Sequence, residues 1–170
     1  GWPISLVPNP TETEHGSYAD YYFAQFEKYL VPMGIEAEIV RSYEELYQPG
    51  HMTPYIEQAL AQTAEIKKVF EVKSNRELPA EWTPVQVLGP DNKFEKGDLS
   101  TWNKDQKTLS GLSYDKGHAK LDWRLDWPAR WAYLGVRVEP FGAQEHGAAG
   151  GSYDTGAEFA NTVFGIEAPY

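Results

Sequence analysis

Between residues 74 and 116 the apolar residues lose helical spacing, and the chain becomes a series of short runs separated by turns. Val85 to Leu88 is one such run. The turn sequences are Gly89 to Asn92, Lys96 to Asp98 and Ser110-Gly111. Turn residues at this spacing are typical of β-hairpins. We therefore predict a small antiparallel β insertion over residues 74–116, which separates residues 1–73 from residues 117–170.

The first part has the apolar spacing of helices that flank a strand. Tyr22, Phe26 and Tyr29 recur at helical spacing behind a capping pair at 17 and 20, which predicts a helix over about 18–31. Ile35, Ala37 and Ile39 alternate with Glu36, Glu38 and Val40, which predicts a strand over residues 35–40. Thr53 followed by a proline predicts the start of a longer helix that reaches residue 70.

The second part repeats this alternation. Residues 121–125 are predicted to be extended, and Trp127-Pro128 to begin a short helix that ends near residue 135. Residues 136–141 are predicted to form a strand, and Thr155 to cap a last helix that reaches about residue 165. Helices and strands in this order predict an α/β layer that carries the β insertion.

Charge and composition argue against several classes of protein. The 170 residues include 25 Asp and Glu against 15 Lys and Arg, and the formal charge of −10 disfavours nucleic-acid binding by this chain on its own. The absence of cysteine excludes disulfides, Cys-ligated zinc and cysteine nucleophiles. No apolar run approaches the roughly 20 residues that a transmembrane helix needs.

The run from Leu121 to Trp131 concentrates charged and aromatic side chains. It contains two carboxylates, Asp122 and Asp126, together with two arginines and three indoles. Carboxylates beside indole faces can receive an alkylammonium group through Coulomb attraction and cation–π contact. An equally open interpretation is that Trp127 and Trp131 are core residues and that Asp126 caps a helix.

A second concentration of special residues is the glycine-rich loop over residues 141–156. It lies between a predicted strand and a predicted helix, where free backbone N–H groups and the helix dipole favour an anion. Its spacing matches neither a Walker A loop nor the dinucleotide fingerprint, so an ordinary loop before a capped helix is the alternative. His146 is the only histidine in it, and the scatter of the others disfavours a histidine metal cluster.

Four phrases between Lys120 and Tyr170 carry a family resemblance. They are Leu-Asp-Trp-Pro-Ala-Arg-Trp at 125–131, Leu-Gly-Val at 134–136, Glu-Pro-Phe-Gly at 139–142 and Gly-Gly-Ser-Tyr-Asp-Thr-Gly at 150–156. In this order they resemble the class I lysyl-tRNA synthetases. Residues 7–10, 34–36 and 45–47 are similar more loosely, and residues 74–116 match poorly.

The resemblance implies an internal segment of a catalytic domain, with a partial Rossmann-type layer around the β insertion. It implies activation of lysine with ATP and Mg²⁺, followed by transfer to tRNA. On this basis Trp123 and His146 would contact lysine. The loop would lie against the adenylate, with Gly150, Gly151 and Ser152 near the ribose. Asp122 and Asp126 are proposed as partners of the lysine ammonium from charge alone.

Three departures from the family pattern qualify these expectations. The His-Ile-Gly-His and Lys-Met-Ser-Lys-Ser signatures are missing, so this chain alone is expected to be inactive, with no catalytic residue of its own. Many family members bind zinc through cysteines in the insertion, and none is expected here. Residues 142–146 replace a more usual Gly-Lys-Asp-His, which adds a residue before His146.

A rival hypothesis is a stand-alone binding module whose exposed rings stack on a sugar or another small ligand. The 14% aromatic content motivates it. On the synthetase hypothesis the parent protein is cytoplasmic and uses no membrane. A parallel sheet without its first strand would leave an edge through which the segment self-associates.

Overall fold

A computed structural model describes residues 2–11 and 16–170. The helices are α1 (Tyr18–Leu30), α2 (Thr53–Ala61), α3 (Thr63–Ser74), α4 (Trp123–Leu134) and α5 (Ser152–Thr162). The strands are β1 (Val85–Leu88), β2 (Phe94–Lys96), β3 (Thr108–Leu109), β4 (Leu112–Ser113) and β5 (Ala119–Leu121). Short turns of 3-10 helix cover Ile4–Leu6 and Leu99–Thr101, and a π-helical turn covers Ser42–Tyr47. The chain thus mixes helices with small sheets.

The antiparallel strands predicted in the middle of the chain are confirmed. β1 lies at the centre of a three-stranded sheet, with β2 on one side and β5 on the other. Gln86 sits opposite Lys96 on one strand and Lys120 on the other. β3 and β4 form a separate hairpin, whose turn at Ser110 and Gly111 has positive φ angles of 55° and 74°.

Helix α1 is confirmed close to its predicted limits because its start is specified locally. The Ser17 hydroxyl accepts from the Asp20 N–H at 3.2 Å, while Asp20 Oδ2 accepts from the Ser17 N–H at 2.7 Å. This reciprocal pair satisfies two amides that the helix cannot. None of the 13 residues of α1 is buried.

The predicted strands over residues 35–40 and 136–141 are wrong. A strand needs a hydrogen-bonded neighbour, and in the described part of the chain no strand pairs with residues 35–40. Residues 136–141 belong to no strand, although their backbone meets the last residue: Glu139 N–H donates to the Tyr170 carbonyl, and Tyr170 N–H donates to the Arg137 carbonyl. This is the hydrogen-bond pattern of a parallel pair centred on Val138 and Tyr170.

Three helix boundaries also differ from prediction. The long helix after Thr53 is divided at Gln62, whose φ of −108° interrupts the helix and whose side chain donates to the Val163 carbonyl. α4 begins at Trp123, so residues 121–125 are not an extended segment, and Pro128 lies inside the helix. Burial of indoles along α4 outweighs the roughly 3 kcal/mol that an internal proline costs. α5 begins at Ser152, so Thr155 lies within it.

The core lies between α2, α3, α4 and α5 on one side and the β1–β5 pair on the other. Its fully buried side chains include Ile56, Leu60, Ile66, Phe70, Val85, Leu121, Leu125 and Phe159. Gly156 lets α4 and α5 approach, since a Cβ there would stand 3.3 Å from Cη2 of Trp131. Across the described ranges, no helix combines the length and hydrophobicity needed to cross a membrane.

Candidate functional site

Three indoles form a row along α4, because Trp123, Trp127 and Trp131 are spaced four residues apart. The Trp123 and Trp127 rings stack at 5.5 Å with a 12° interplanar angle, and Trp127 meets Trp131 at 5.0 Å. Exposure falls along the row from 49% at Trp123 to 7% and 1%. The row therefore begins at the surface and ends in the core, and only Trp123 can offer a broad ring surface to a ligand.

The glycine-rich loop packs against this row of indoles. The His146 ring lies 5.7 Å from Trp127 in a T-shaped arrangement and 6.1 Å from Trp123. Phe141 meets Trp127 edge to face at 6.1 Å and stacks on Tyr153 at 4.3 Å. The run from Leu121 to Trp131 and the glycine-rich loop are thus brought together, and Trp123 and His146 form a common surface.

His146 has one polar atom without a partner. Its Nδ1 is buried and makes no hydrogen bond among the described residues. The backbone carbonyl of the same residue is held, because it accepts from the Tyr153 N–H at 3.0 Å. The loop thus fixes the main chain of His146, while the buried Nδ1 of its ring has no hydrogen-bond partner among the described residues.

Gly150 and Gly151 approach other parts of the chain closely. A Cβ at Gly150 would lie 2.6 Å from the Lys73 carbonyl oxygen at the end of α3, and φ there is +71°. A Cβ at Gly151 would lie 2.6 Å from the His146 carbonyl oxygen. Both positions therefore require glycine for internal packing. Ser152 is buried as the first residue of α5.

Asp154 holds the same turn from inside α5. Its carboxylate accepts from the Gly150 N–H at 2.9 Å and lies 3.3 Å from the Lys73 ammonium. The Gly150 hydrogen bond, followed by Lys73, lowers the pKa of Asp154 below its ordinary value, although desolvation opposes this. A carboxylate that receives a backbone N–H and an ammonium stays ionised at neutral pH.

The two acidic candidates lie on other sides of α4 from His146. Asp122 is the helix N-cap, and its carboxylate accepts from the Arg124 N–H at 3.4 Å. Asp126 accepts from the Tyr47 hydroxyl at 2.5 Å and lies 2.9 Å from Arg130 Nε. Burial, and then the Asp126 charge, raises the pKa of Tyr47 well above its ordinary value. Asp126 is thus already neutralised by groups of the chain itself.

Asp126 and Trp123 do share a cavity of about 380 Å³ beside the N-terminal segment. Tyr47, Leu121 and residues 2–5 also line it. The Tyr47 hydroxyl also accepts from the Leu121 N–H at 3.2 Å. The cavity and the His146 contact therefore lie on two sides of Trp123.

Two residues at this site were not predicted from the sequence. Tyr47 lies 79 positions before Asp126, so no local spacing could connect them. Arg124 was counted only as one of two arginines, yet its guanidinium donates to the Gly150 carbonyl at 3.2 Å and to Thr155 Oγ1 at 3.4 Å. Across residues 2–11 and 16–170, no group of three or more His, Asp or Glu side chains could hold a metal ion.

The sequence is similar to known proteins over its whole length. The model of the family described as tRNA synthetases class I (K) matches residues 1–170. The chain is 36% identical over 179 residues to lysine–tRNA ligase 1 of Methanosarcina acetivorans, covering all of this chain and 33% of that protein. It is 35% identical over 180 residues to the lysine–tRNA ligase of Pyrococcus furiosus, covering 99% of this chain and 34% of that protein.

A third archaeal relative gives the same result. The lysine–tRNA ligase of Archaeoglobus fulgidus is 34% identical over 178 residues, which cover 100% of this chain and 35% of that protein. The chain therefore spans about a third of the length of these curated relatives. Since the family model and the relatives extend over the whole sequence, the chain belongs to the class I lysyl-tRNA synthetase family.

Proposed function

We propose that this chain forms the lysine-recognising segment of a lysine–tRNA ligase catalytic domain. The contact of Trp123 and His146 is the observation that carries the proposal. A half-exposed indole offers a face to the lysine methylenes and ammonium, and the half-buried ring of His146 lies beside it. Asp122, the N-cap of the same helix, adds negative potential that attracts a cation, whereas Asp126, bound by Tyr47 and Arg130, adds less.

The finer fold proposal is a partial Rossmann-type layer. The parallel pairing around Val138 and Tyr170, with α5 between the two segments, supports it because parallel strands require a crossover connection. On this view residues 1–73 and 117–170 form one catalytic core, and residues 74–116 are an insertion. Association with another strand, including self-association, would use the open edge beside residues 136–140.

The nucleotide part of the proposal concerns the glycine-rich loop. ATP, with Mg²⁺ on its phosphates, would bind so that Gly150, Gly151 and Ser152 face the ribose of the lysyl-adenylate. The start of α5 supports this, since helix N-termini favour phosphate groups. No zinc takes part. The residues position substrates and do not form a covalent intermediate, as in other reactions that depend on orientation.

The reaction and location belong to the whole synthetase. We propose that the complete protein acts in the cytoplasm, activating lysine and transferring it to tRNA. Neither nucleotide-binding signature of the family occurs in these 170 residues. We therefore expect ATP–pyrophosphate exchange by this chain alone to be at background, and complementation with the missing parts to be required for aminoacylation.

Tryptophan fluorescence tests the proposed lysine site directly. The chain is titrated with lysine, with a non-hydrolysable lysyl-sulfamoyl-adenosine analogue and with a panel of sugars. We expect a saturable change with the analogue, a weaker one with lysine, and none with sugars. Trp123→Ala should abolish the response because it removes the exposed ring.

Trp102→Phe is the matched control, since Trp102 packs near the β insertion, away from the loop. It should retain the response to the analogue. A response to sugars together with silence toward the analogue would contradict the proposal and favour the aromatic binding module. A response that survives in Trp123→Ala would reject the assignment of this residue.

A further inference from the structure

Arg124 joins three parts of the molecule around the candidate site. It lies on α4, directly after Trp123, and its guanidinium donates to the carbonyl of Gly150 and to the hydroxyl of Thr155 on α5. The same group lies 5.8 Å from the ring centroid of Phe70 on α3. One half-buried cation thus contacts the glycine-rich loop and two further helices.

The turn at Gly150 is held from three directions. Arg124 donates a hydrogen bond to the Gly150 carbonyl, and Asp154 accepts one from the Gly150 N–H. The end of α3 leaves no space for a Cβ at this position. This turn is followed by Tyr153, whose N–H holds the His146 carbonyl, while Gly151 packs against the same carbonyl. The position of His146 beside the indoles therefore depends on where the turn is fixed.

From this arrangement we propose that Arg124 is a positioning residue that sets the distance between His146 and Trp123 by holding the Gly150 turn on α4. The geometric role of Arg124 is independent of the proposed function, whereas its effect on lysine recognition rests on that function. Both hydrogen bonds leave from the same nitrogen, Nη1, so one donor atom links the Gly150 turn to α5. A lysine ammonium has the charge but not the planar group that lies over the Phe70 ring and fixes the direction of these donors.

Two-dimensional NMR of the histidine side chains tests the positioning. In the wild-type chain the His146 ring protons lie near two indoles, so ring currents should displace their resonances from those of a solvated histidine. His146→Gln assigns these signals by their disappearance. In Arg124→Lys we expect them to move toward the solvated values, while the other histidine signals remain in place.

The matched control is Arg130→Lys, on the same helix. Arg130 pairs with Asp126 on its own helix, so the His146 signals should be unchanged. Arg124→Gln is a second variant in case the lysine side chain rebuilds one contact. Thermal unfolding of each variant confirms that the chain is folded before the spectra are compared.

A binding measurement separates positioning from general damage. We expect Arg124→Lys to weaken binding of the lysyl-adenylate analogue by about tenfold, the equivalent of about 1.4 kcal/mol. Trp123 remains in place in this variant. Folded Arg124→Lys and Arg124→Gln variants with wild-type His146 resonances would overturn the proposal. If the wild-type chain fails to bind the analogue, the proposed function fails, but the NMR comparison still decides whether Arg124 positions His146.

Discussion

Helices α1 and α4 carry aromatic residues at the same spacing but use them differently. In α1, Tyr22, Phe26 and Tyr29 are 51%, 57% and 68% exposed. In α4, Trp127 and Trp131 are almost completely buried against the loop and α5. Helical periodicity thus specifies that a helix has one aromatic face, whereas the partner that covers this face is specified elsewhere in the chain.

The two helices should differ most in the stability lost when one aromatic ring on each is truncated to alanine. Trp131→Ala removes a side chain that packs on Trp127 and Tyr153, and it should lower the free energy of unfolding by about 3–5 kcal/mol. Phe26→Ala removes a ring that is 57% exposed, and it should change the free energy of unfolding by less than about 0.5 kcal/mol. Urea denaturation measures both. Equal losses would show that α1 is packed as firmly as α4.

A smaller loss is expected where α4 meets the turn before α2. Tyr47→Phe leaves the Asp126 carboxylate and the Leu121 N–H without the hydroxyl, which should cost about 1–3 kcal/mol at neutral pH. Tyr43→Phe, in the same turn, is the control and should be nearly neutral.

The same tyrosine predicts a dependence on alkaline pH. Burial raises the Tyr47 pKa above its ordinary value of 10.0, so the unfolded chain loses this proton first. The contribution to stability is complete below about pH 10 and is lost as pH rises toward the folded pKa, by at most about 1.4 kcal/mol per pH unit. Denaturation between pH 9 and 11 should therefore show a steeper loss in the wild type than in Tyr47→Phe. Parallel curves would exclude Tyr47 as the source.

Ion pairs between α3 and α5 should contribute less to the free energy of unfolding. Lys73 lies 3.3 Å from Asp154 and 3.4 Å from Glu158, and Lys73→Met should cost about 0.2–1 kcal/mol, less in high salt. Lys68→Met, whose partner Glu65 is 3.9 Å away, should cost almost nothing. Denaturation at low and high ionic strength distinguishes the two, and a Lys73 effect independent of salt would point to packing of its stem.

The smallest effect on global stability is expected at the cap of α1. Ser17→Ala removes the hydroxyl that accepts from Asp20, so the first turn of α1 should fray. The free energy of global unfolding should change by less than about 0.5 kcal/mol, since α1 buries none of its residues. Hydrogen exchange should show faster exchange in α1 alone. An equal loss of protection from hydrogen exchange across α4 would mean that the two helices unfold together.

Sequence reasoning succeeded where a signal and its partner lie close together in the chain. The cap of α1, the hairpin turns and the antiparallel runs of the insertion are local, and they were predicted correctly. The strands at 35–40 and 136–141 were not, because a strand exists only with a neighbour that the pattern does not reveal. Pro128 suggested a helix start, but the indole row carries the helix through it.

The candidate site shows the same limit. The resemblance marked Trp123 and His146, and these two lie against one another. Asp126 was chosen by charge alone, which could not reveal that Tyr47 and Arg130 already occupy its oxygens. Gly150 was selected for approach to a ribose, whereas in the structure it lies close to the end of α3. Tertiary partners decide which charged and small residues remain free for a ligand.

The spacing between α4 and α5 depends on a single missing methyl group. With a Cβ at position 156 only 3.3 Å from the Trp131 ring, alanine there would require the buried indole to shift by a few tenths of an ångström. A larger side chain at position 156 therefore favours a smaller one at position 131. Among relatives, we expect these two positions to vary as a pair.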